Sequence, residues 1–143
     1  FYVVLIDNRK EIIDNLPDDC CHRAIHHDYA NLAEIIDFNP HTWIVIMTQG
    51  HLHDKEVLEQ CLRKPFRYLG MIGSKTKAAA TFTKLKEKGF TPEELAKCHS
   101  PVGLPIGSNT PYEIAVSIMA ELISLRNLQD KEEKSFVHKE IKR

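Results

Sequence analysis

The stretch FRYLGMIGSK, residues 66–75, decides the fold of this chain, because it has the pattern of a strand, a glycine turn and a helix start. Upstream, residues 43–48 form the run WIVIMT, which is apolar on both faces, like a strand covered by helices on both sides. Both strands run into loops of Gly, His, Asp, Ser and Lys. Ligands bind at the carboxyl ends of the strands in an open α/β sheet, so we expect the functional site in these loops.

The rest of the chain alternates between strands and helices in the same way. Strands are predicted at 1–6, 23–27, 43–47 and 68–72, and helices at 29–38, 54–63 and 75–88, with a loop or short helix at 10–21. Two more helices follow Thr91 and Thr110, which each precede a proline and stand three residues before a glutamate, as in a capping box. This order predicts a three-layer α/β domain with a mostly parallel sheet over residues 1–127, followed by a frayed, charged tail at 128–143.

The composition narrows the class of protein. A chain of 143 residues with 43% hydrophobic residues can bury one core, and its net charge of −1 does not suggest a nucleic-acid surface. No apolar run approaches the roughly 20 residues that span a bilayer, and no signal peptide is predicted. The four cysteines are irregularly spaced, which favours a reducing, cytoplasmic location over a disulfide framework.

Asp7 closes the first predicted strand, and Arg9 follows it. In a dinucleotide-binding fold, an acid at the end of the second strand bonds the ribose hydroxyls, and the glycine-rich phosphate turn lies about 20 residues before that acid. That turn would precede Phe1, so it cannot be present here. Because the chain starts at Phe1 rather than Met, and directly inside a predicted strand, we expect the natural protein to extend further upstream. An NAD(P)-dependent oxidoreductase is therefore one interpretation, although no Tyr-x-x-x-Lys pair stands out.

The Gly73-Ser74-Lys75 turn offers the start of a helix to an anion. The alternative is that Ser74 only caps the helix and Lys75 faces solvent. Gly70 has an alternative interpretation too, since it can simply permit close packing within its strand.

The loop after the second strand carries His51, His53 and Asp54, which could bind a metal or act as acid and base in a metal-dependent hydrolase. Alternatively, Asp54 caps the next helix and the histidines are surface residues. Structural zinc is not predicted, because the chain has no Cys-x-x-Cys pair. Cys98 could handle sulfur or be a buried thiol, and the loop at 102–109 could close over a ligand or only link two elements.

The chain resembles the C-terminal Rossmann-like domain of the XdhC/CoxI family in three segments: VVLIDNRKE at 3–11, TWIVIMTQGHLHDKEVLEQCLRKPFRYLGMIGSK at 42–75 and GFTPEELAKCHSPVGLPIGSNTPYEIAVSIMAELI at 89–123. GMIGSK, followed by PVGLPIG and TPYEIA, is not a generic Rossmann pattern. The resemblance implies an accessory protein that binds the molybdenum cofactor and aids its sulfuration or insertion into a xanthine-dehydrogenase-type hydroxylase. An apo molybdenum hydroxylase and a cysteine desulfurase are the implied partners, and self-association is expected.

The family's domain opens with a further strand, which this chain lacks. In the strand order 3-2-1-4-5 the missing strand is central, so we expect a gap between the strands at 1–6 and 43–47. The expected cofactor-binding residues converge on one crevice, and no catalytic residue is assigned. They are Asp7, Arg9, Gly50, His51, Gly70, Gly73, Ser74, Lys75, Gly103 and Gly107.

Overall fold

The computed structural model, which describes residues 1–49 and 52–140 with side chains through residue 128, contains four short strands in two two-stranded sheets. The strands are β1 (Val4–Asp7), β2 (Arg23–His26), β3 (Trp43–Ile46) and β4 (Tyr68–Met71). The helices are α1 (Lys10–Asp14), α2 (Asp54–Cys61), α3 (Lys75–Glu87), α4 (Pro92–Leu95) and α5 (Pro111–Glu140), and a 3₁₀ helix spans Tyr29–Glu34. The four predicted strands are confirmed. No helix in these described ranges is long and apolar enough to cross a membrane.

The strands pair in two separate parallel ladders. β1 pairs with β2, and β3 pairs with β4. Within the described residues β1 and β3 share no ladder, which is the gap expected for a Rossmann-like sheet without its central strand. The rings of Phe1 and Trp43, with centroids 5.4 Å apart, bring the amino ends of the two ladders together.

A further extended segment lies along the outer edge of β4. His99 donates its backbone N–H to the Leu69 carbonyl and accepts from the Met71 N–H, both at 2.9 Å, in a parallel bridge opposite Gly70. The sequence predicted only a loop here, because the segment is short and interrupted by Pro101. The tertiary pairing makes it strand-like, since β4 offers an unpaired edge.

Alternating residues of the sheet divide the core into two layers. Ile46, Leu69 and Met71 pack into a large cluster with α2, α3, α4 and the 3₁₀ helix. On the opposite face, Tyr68 packs with Ile118 and the other buried residues of α5. This confirms the three-layer arrangement and the predicted contact between α5 and the sheet.

Two helices differ in length from their prediction. Asn31, with φ −129° and ψ 46°, breaks the helix expected at 29–38, which becomes a short 3₁₀ helix ending at Glu34. The frayed tail expected from residue 128 was wrong for the backbone, because α5 runs to Glu140. Residues 128–140 contain no Pro or Gly and are rich in Lys and Glu, which favour a helix even without an apolar pattern.

Candidate ligand site at the carboxyl ends of the strands

Asp7 and Arg9 form a tight ion pair at the end of β1. The Arg9 Nε and Nη2 atoms donate to the two Asp7 carboxylate oxygens at 2.9 and 2.8 Å, and the Arg9 backbone N–H donates to Oδ1 at 2.9 Å. Both side chains keep part of their surface in solvent. The acid predicted to bind ribose is therefore already held by a guanidinium, and a ligand would meet a paired acid and base.

Replacing Arg9 by alanine is expected to raise the pKa of Asp7. The hydrogen bonds and charge of Arg9 hold that pKa below its usual value, whereas partial burial acts in the opposite direction. The alanine variant loses the guanidinium, whose hydrogen bonds are the largest of these effects, and keeps the backbone N–H that donates to Oδ1. A pH titration of the Asp7 carboxyl by NMR measures the change, and the Arg23→Ala variant is the control. An unchanged Asp7 pKa would contradict the pairing.

Tyr29 connects the loop after β1 with the loop after β3. Its ring is buried, and its centroid lies 5.2 Å from that of His53. Burial raises the pKa of Tyr29, the charge of Asp7 raises it further, and a hydrogen bond with the backbone of Asn8 opposes the shift. Tyr29 was not predicted as a site residue, because an aromatic residue at the start of a predicted helix is usually only part of the core.

Asp54 organises the loop after β3. Its Oδ1 accepts the backbone N–H of Thr48 at 2.9 Å and the Thr48 hydroxyl at 2.7 Å, and the carboxyl is buried. His53 contacts Glu56 across 3.1 Å. Asp54 thus holds the loop between β3 and α2 through Thr48, and it does not cap the helix as the alternative expected, because the N-cap of α2 is His53. Gly50 and His51 lie outside the described residues, and in the part that is described no three His, Cys, Asp or Glu side chains are grouped for a metal ion.

Gly73, Ser74 and Lys75 form the turn between β4 and α3. Gly73 has φ +146°, a conformation that favours glycine, and Ser74 is the N-cap, with its hydroxyl accepting the Lys77 N–H at 3.3 Å. Lys75 is exposed. The capping alternative for Ser74 is therefore correct, but the first-turn N–H groups and the lysine still present positive charge to an anion.

The remaining predicted glycines have different surroundings. A Cβ on Gly70 would lie 2.6 Å from Val102, and one on Gly103 would lie 2.3 Å from the Ser117 hydroxyl, so both serve close packing on the α5 side of the sheet. Gly107, with φ +76°, has open space around it. The surroundings of Gly70 agree with the packing alternative given for it, and Gly103 is packed just as closely.

Glu121 of α5 forms a polar cluster that the sequence analysis missed. Its carboxylate accepts the Tyr68 hydroxyl at 2.8 Å and the Gly103 N–H at 2.6 Å, and it contacts His99 Nδ1 at 2.7 Å. The Glu121 side chain is only 12% exposed. This cluster fastens the 99–103 segment to α5. The only signal in the sequence was a lone glutamate within an apolar helix face.

The structure thus joins the predicted site residues in two groups. The ends of β1 and β3 meet through Tyr29, whereas the α3 start stands beside β4, and within the described residues no hydrogen bond or ion pair links Ser74 or Lys75 to Asp7 or Arg9. Together they define a Rossmann-like α/β domain with polar loops at the carboxyl edge of its sheet. The model of the XdhC Rossmann domain matches residues 1–122, and the chain belongs to that family.

The chain is similar in sequence to three known bacterial proteins. The chain is 37% identical over 89 residues to a Bacillus subtilis protein named as a probable component of xanthine dehydrogenase, covering 62% of this chain and 25% of that protein. It is 35% identical over 69 residues to the molybdenum cofactor insertion chaperone PaoD of Escherichia coli, covering 48% and 21%. It is 36% identical over 95 residues to the uncharacterized protein YqeB of Escherichia coli, covering 66% and 17%.

A solved structure agrees with the fold. A crystal structure described as a xanthine dehydrogenase from Bacillus halodurans superposes with a TM-score of 0.72 at 32% identity, covering 89% of this chain and 36% of that one. The chain therefore spans about a third of this structure and a quarter or less of the curated relatives.

Proposed function

We propose that the chain belongs to an accessory factor that matures a molybdenum hydroxylase of the xanthine dehydrogenase type. The observation that carries the proposal is the α3 start in a family whose relatives include a molybdenum cofactor insertion chaperone. The cofactor is the cargo in this proposal: the protein binds it and passes it on. This makes the chain a binding and delivery module, with no turnover of its own required.

The chemistry of the polar edge suits an anionic cargo. Molybdenum cofactor is a pterin that carries a phosphate, and a phosphate is favoured at a helix start. Lys75 adds a positive charge there, and Gly73, which directly precedes the Ser74 N-cap, carries no side chain. Gly107 has open space where a side chain would stand, which would leave room for a ligand beside this glycine.

A maturation factor of this kind would work with two partner proteins. An apo hydroxylase would receive the cofactor, and a cysteine desulfurase would supply the sulfur for sulfuration. We further propose that the protein is cytoplasmic. We also propose that it self-associates, because the β1 and β3 edges that face the gap leave backbone groups without ladder partners in the described residues.

A second candidate function rests on the Asp7–Arg9 pair. An acid at this place in a Rossmann-like fold binds a ribose, and a nearby arginine accommodates a 2′-phosphate, as in NADP binding. An NAD(P)-dependent oxidoreductase would use this pair directly. In a maturation factor, the Asp7–Arg9 pair would instead lie at the margin of the same crevice.

Direct binding separates the two functions. We expect the complete gene product to retain molybdenum cofactor through gel filtration, measured as molybdenum by mass spectrometry, and to activate an apo hydroxylase when mixed with it. NADPH, followed by its fluorescence, should show no saturable binding. Binding of NADPH without retention of molybdenum would contradict the proposal and favour the oxidoreductase.

A further inference from the structure

The four cysteines fall into two chemically different pairs. Cys61 and Cys98 are buried in the core, and burial raises the pKa of each thiol to about 12, which makes them unreactive near neutral pH. Cys20 is exposed and Cys21 is partly exposed. Accessible thiol chemistry in the described chain therefore belongs to the adjacent pair, which lies in the loop between α1 and β2.

The two accessible sulfur atoms already face each other. The Sγ atoms of Cys20 and Cys21 are 3.7 Å apart, and the Cys20 N–H donates to the Pro17 carbonyl at 3.1 Å in a turn that presents the pair. Partial desolvation and then the contact with Cys21 raise the pKa of the Cys20 thiol. The pair is thus a reduced dithiol held in one place.

Chain geometry decides what such a pair can bind. Adjacent Cα atoms are about 3.8 Å apart, which is below the separation of roughly 4.4–6.8 Å that disulfides use. A direct bond between Cys20 and Cys21 would therefore be strained and easily reduced. In contrast, one soft atom that bonds both sulfurs at about 2.3 Å can bridge a separation of up to roughly 3.8 Å at a tetrahedral angle, and a narrower angle needs only a small further approach of the sulfur atoms, which are 3.7 Å apart.

We propose that Cys20 and Cys21 form a two-sulfur site for a soft, thiophilic centre with two open positions, of which a monosubstituted trivalent arsenical is the simplest example. Each thiol replaces one hydroxyl of the hydrated arsenical. Two S–As bonds form, two As–O bonds and two S–H bonds break, and two water molecules leave. No atom changes its oxidation state, so no oxidant is needed, and the two protons of the broken S–H bonds leave with the hydroxyls as water.

Phenylarsine oxide tests the site on the reduced chain by intact-mass spectrometry. We expect one adduct per chain that survives excess glutathione, a monothiol, and is removed by dithiothreitol, a dithiol. Peptide mapping should place the adduct on the segment with Cys20 and Cys21. The Cys20→Ser and Cys21→Ser variants should each lose at least tenfold in resistance to glutathione, because one thiol alone cannot chelate.

The buried thiols serve as an internal control, since all these variants retain Cys61 and Cys98. A glutathione-resistant adduct that persists in the Cys20→Ser/Cys21→Ser double variant would overturn the proposal. A wild-type adduct that glutathione removes as fast as it does from the single variants would overturn it too. Rapid, stable closure of the pair to a disulfide by oxidised glutathione would contradict the strain argument. Serine in this exposed loop should leave the thermal stability unchanged, which excludes unfolding as the cause.

Discussion

Replacing Glu121 by alanine is expected to lower the free energy of unfolding by about 3 kcal/mol. The substitution removes the acceptor for the Tyr68 hydroxyl and the Gly103 N–H, and it removes the partner of His99. Tyr68 is 2% exposed, so its hydroxyl would lose its partner in a buried setting. Urea denaturation followed by circular dichroism measures the change.

The Glu121→Gln variant is the matched control, because glutamine keeps the size and one acceptor oxygen. We expect it to lose clearly less stability than alanine. Equal stability of the wild type and the alanine variant would show that the cluster does not hold the 99–103 segment to α5.

The same carboxyl should give the protein an acid-sensitive contribution to stability. Burial tends to raise the pKa of Glu121, but the hydrogen bonds from Tyr68, Gly103 and His99 outweigh burial and leave that pKa below its usual value. A lowered pKa in the folded state means that the contribution is complete above about pH 4.3, the usual pKa of a glutamate, and is lost as the pH falls through the folded-state pKa. The alanine variant should lose this part of the acid dependence.

Replacing Ser74 by aspartate and Lys75 by glutamate together is expected to weaken the binding of molybdenum cofactor by at least tenfold, or about 1.4 kcal/mol. Both changes place negative charge where the proposed site holds a phosphate. The fold should tolerate them, because aspartate is as good an N-cap as serine and a glutamate in the first turn suits the helix dipole. Retained molybdenum after gel filtration measures the binding, and thermal melting measures the fold.

A control with the same change in charge lies on the same helix. The Thr83→Asp/Lys84→Glu variant adds equal negative charge on exposed positions near the end of α3, away from its start. It should bind the cofactor almost as the wild type does. If both double variants bind equally well, the α3 start is not the site, and the loop that contains His53 and Asp54 becomes the next candidate.

The sequence by itself determined the order of strands and helices, because apolar runs, caps and breakers act over a few neighbouring residues. The capping box of Thr91 with Glu94 is present as predicted, and the Ser74 cap, offered as an alternative, is observed. The gap between β1 and β3 was expected only because the chain resembles a family whose domain opens with a further, central strand. The bounds of the helices were predicted less well than their order, as the short 3₁₀ helix and the long α5 show.

Only the tertiary structure decided which polar residues meet. The local sequence pattern allowed both acids to bind a ligand. In the structure, Asp54 accepts a hydrogen bond from Thr48, and Asp7 forms an ion pair with Arg9. The Glu121 cluster joins residues that are 18 to 53 positions apart, and nothing in their local sequence indicates the pairing. The physical reason is that caps and periodicity depend on neighbours along the chain, whereas the partner of a buried carboxylate is chosen by the packing of α5 against the sheet.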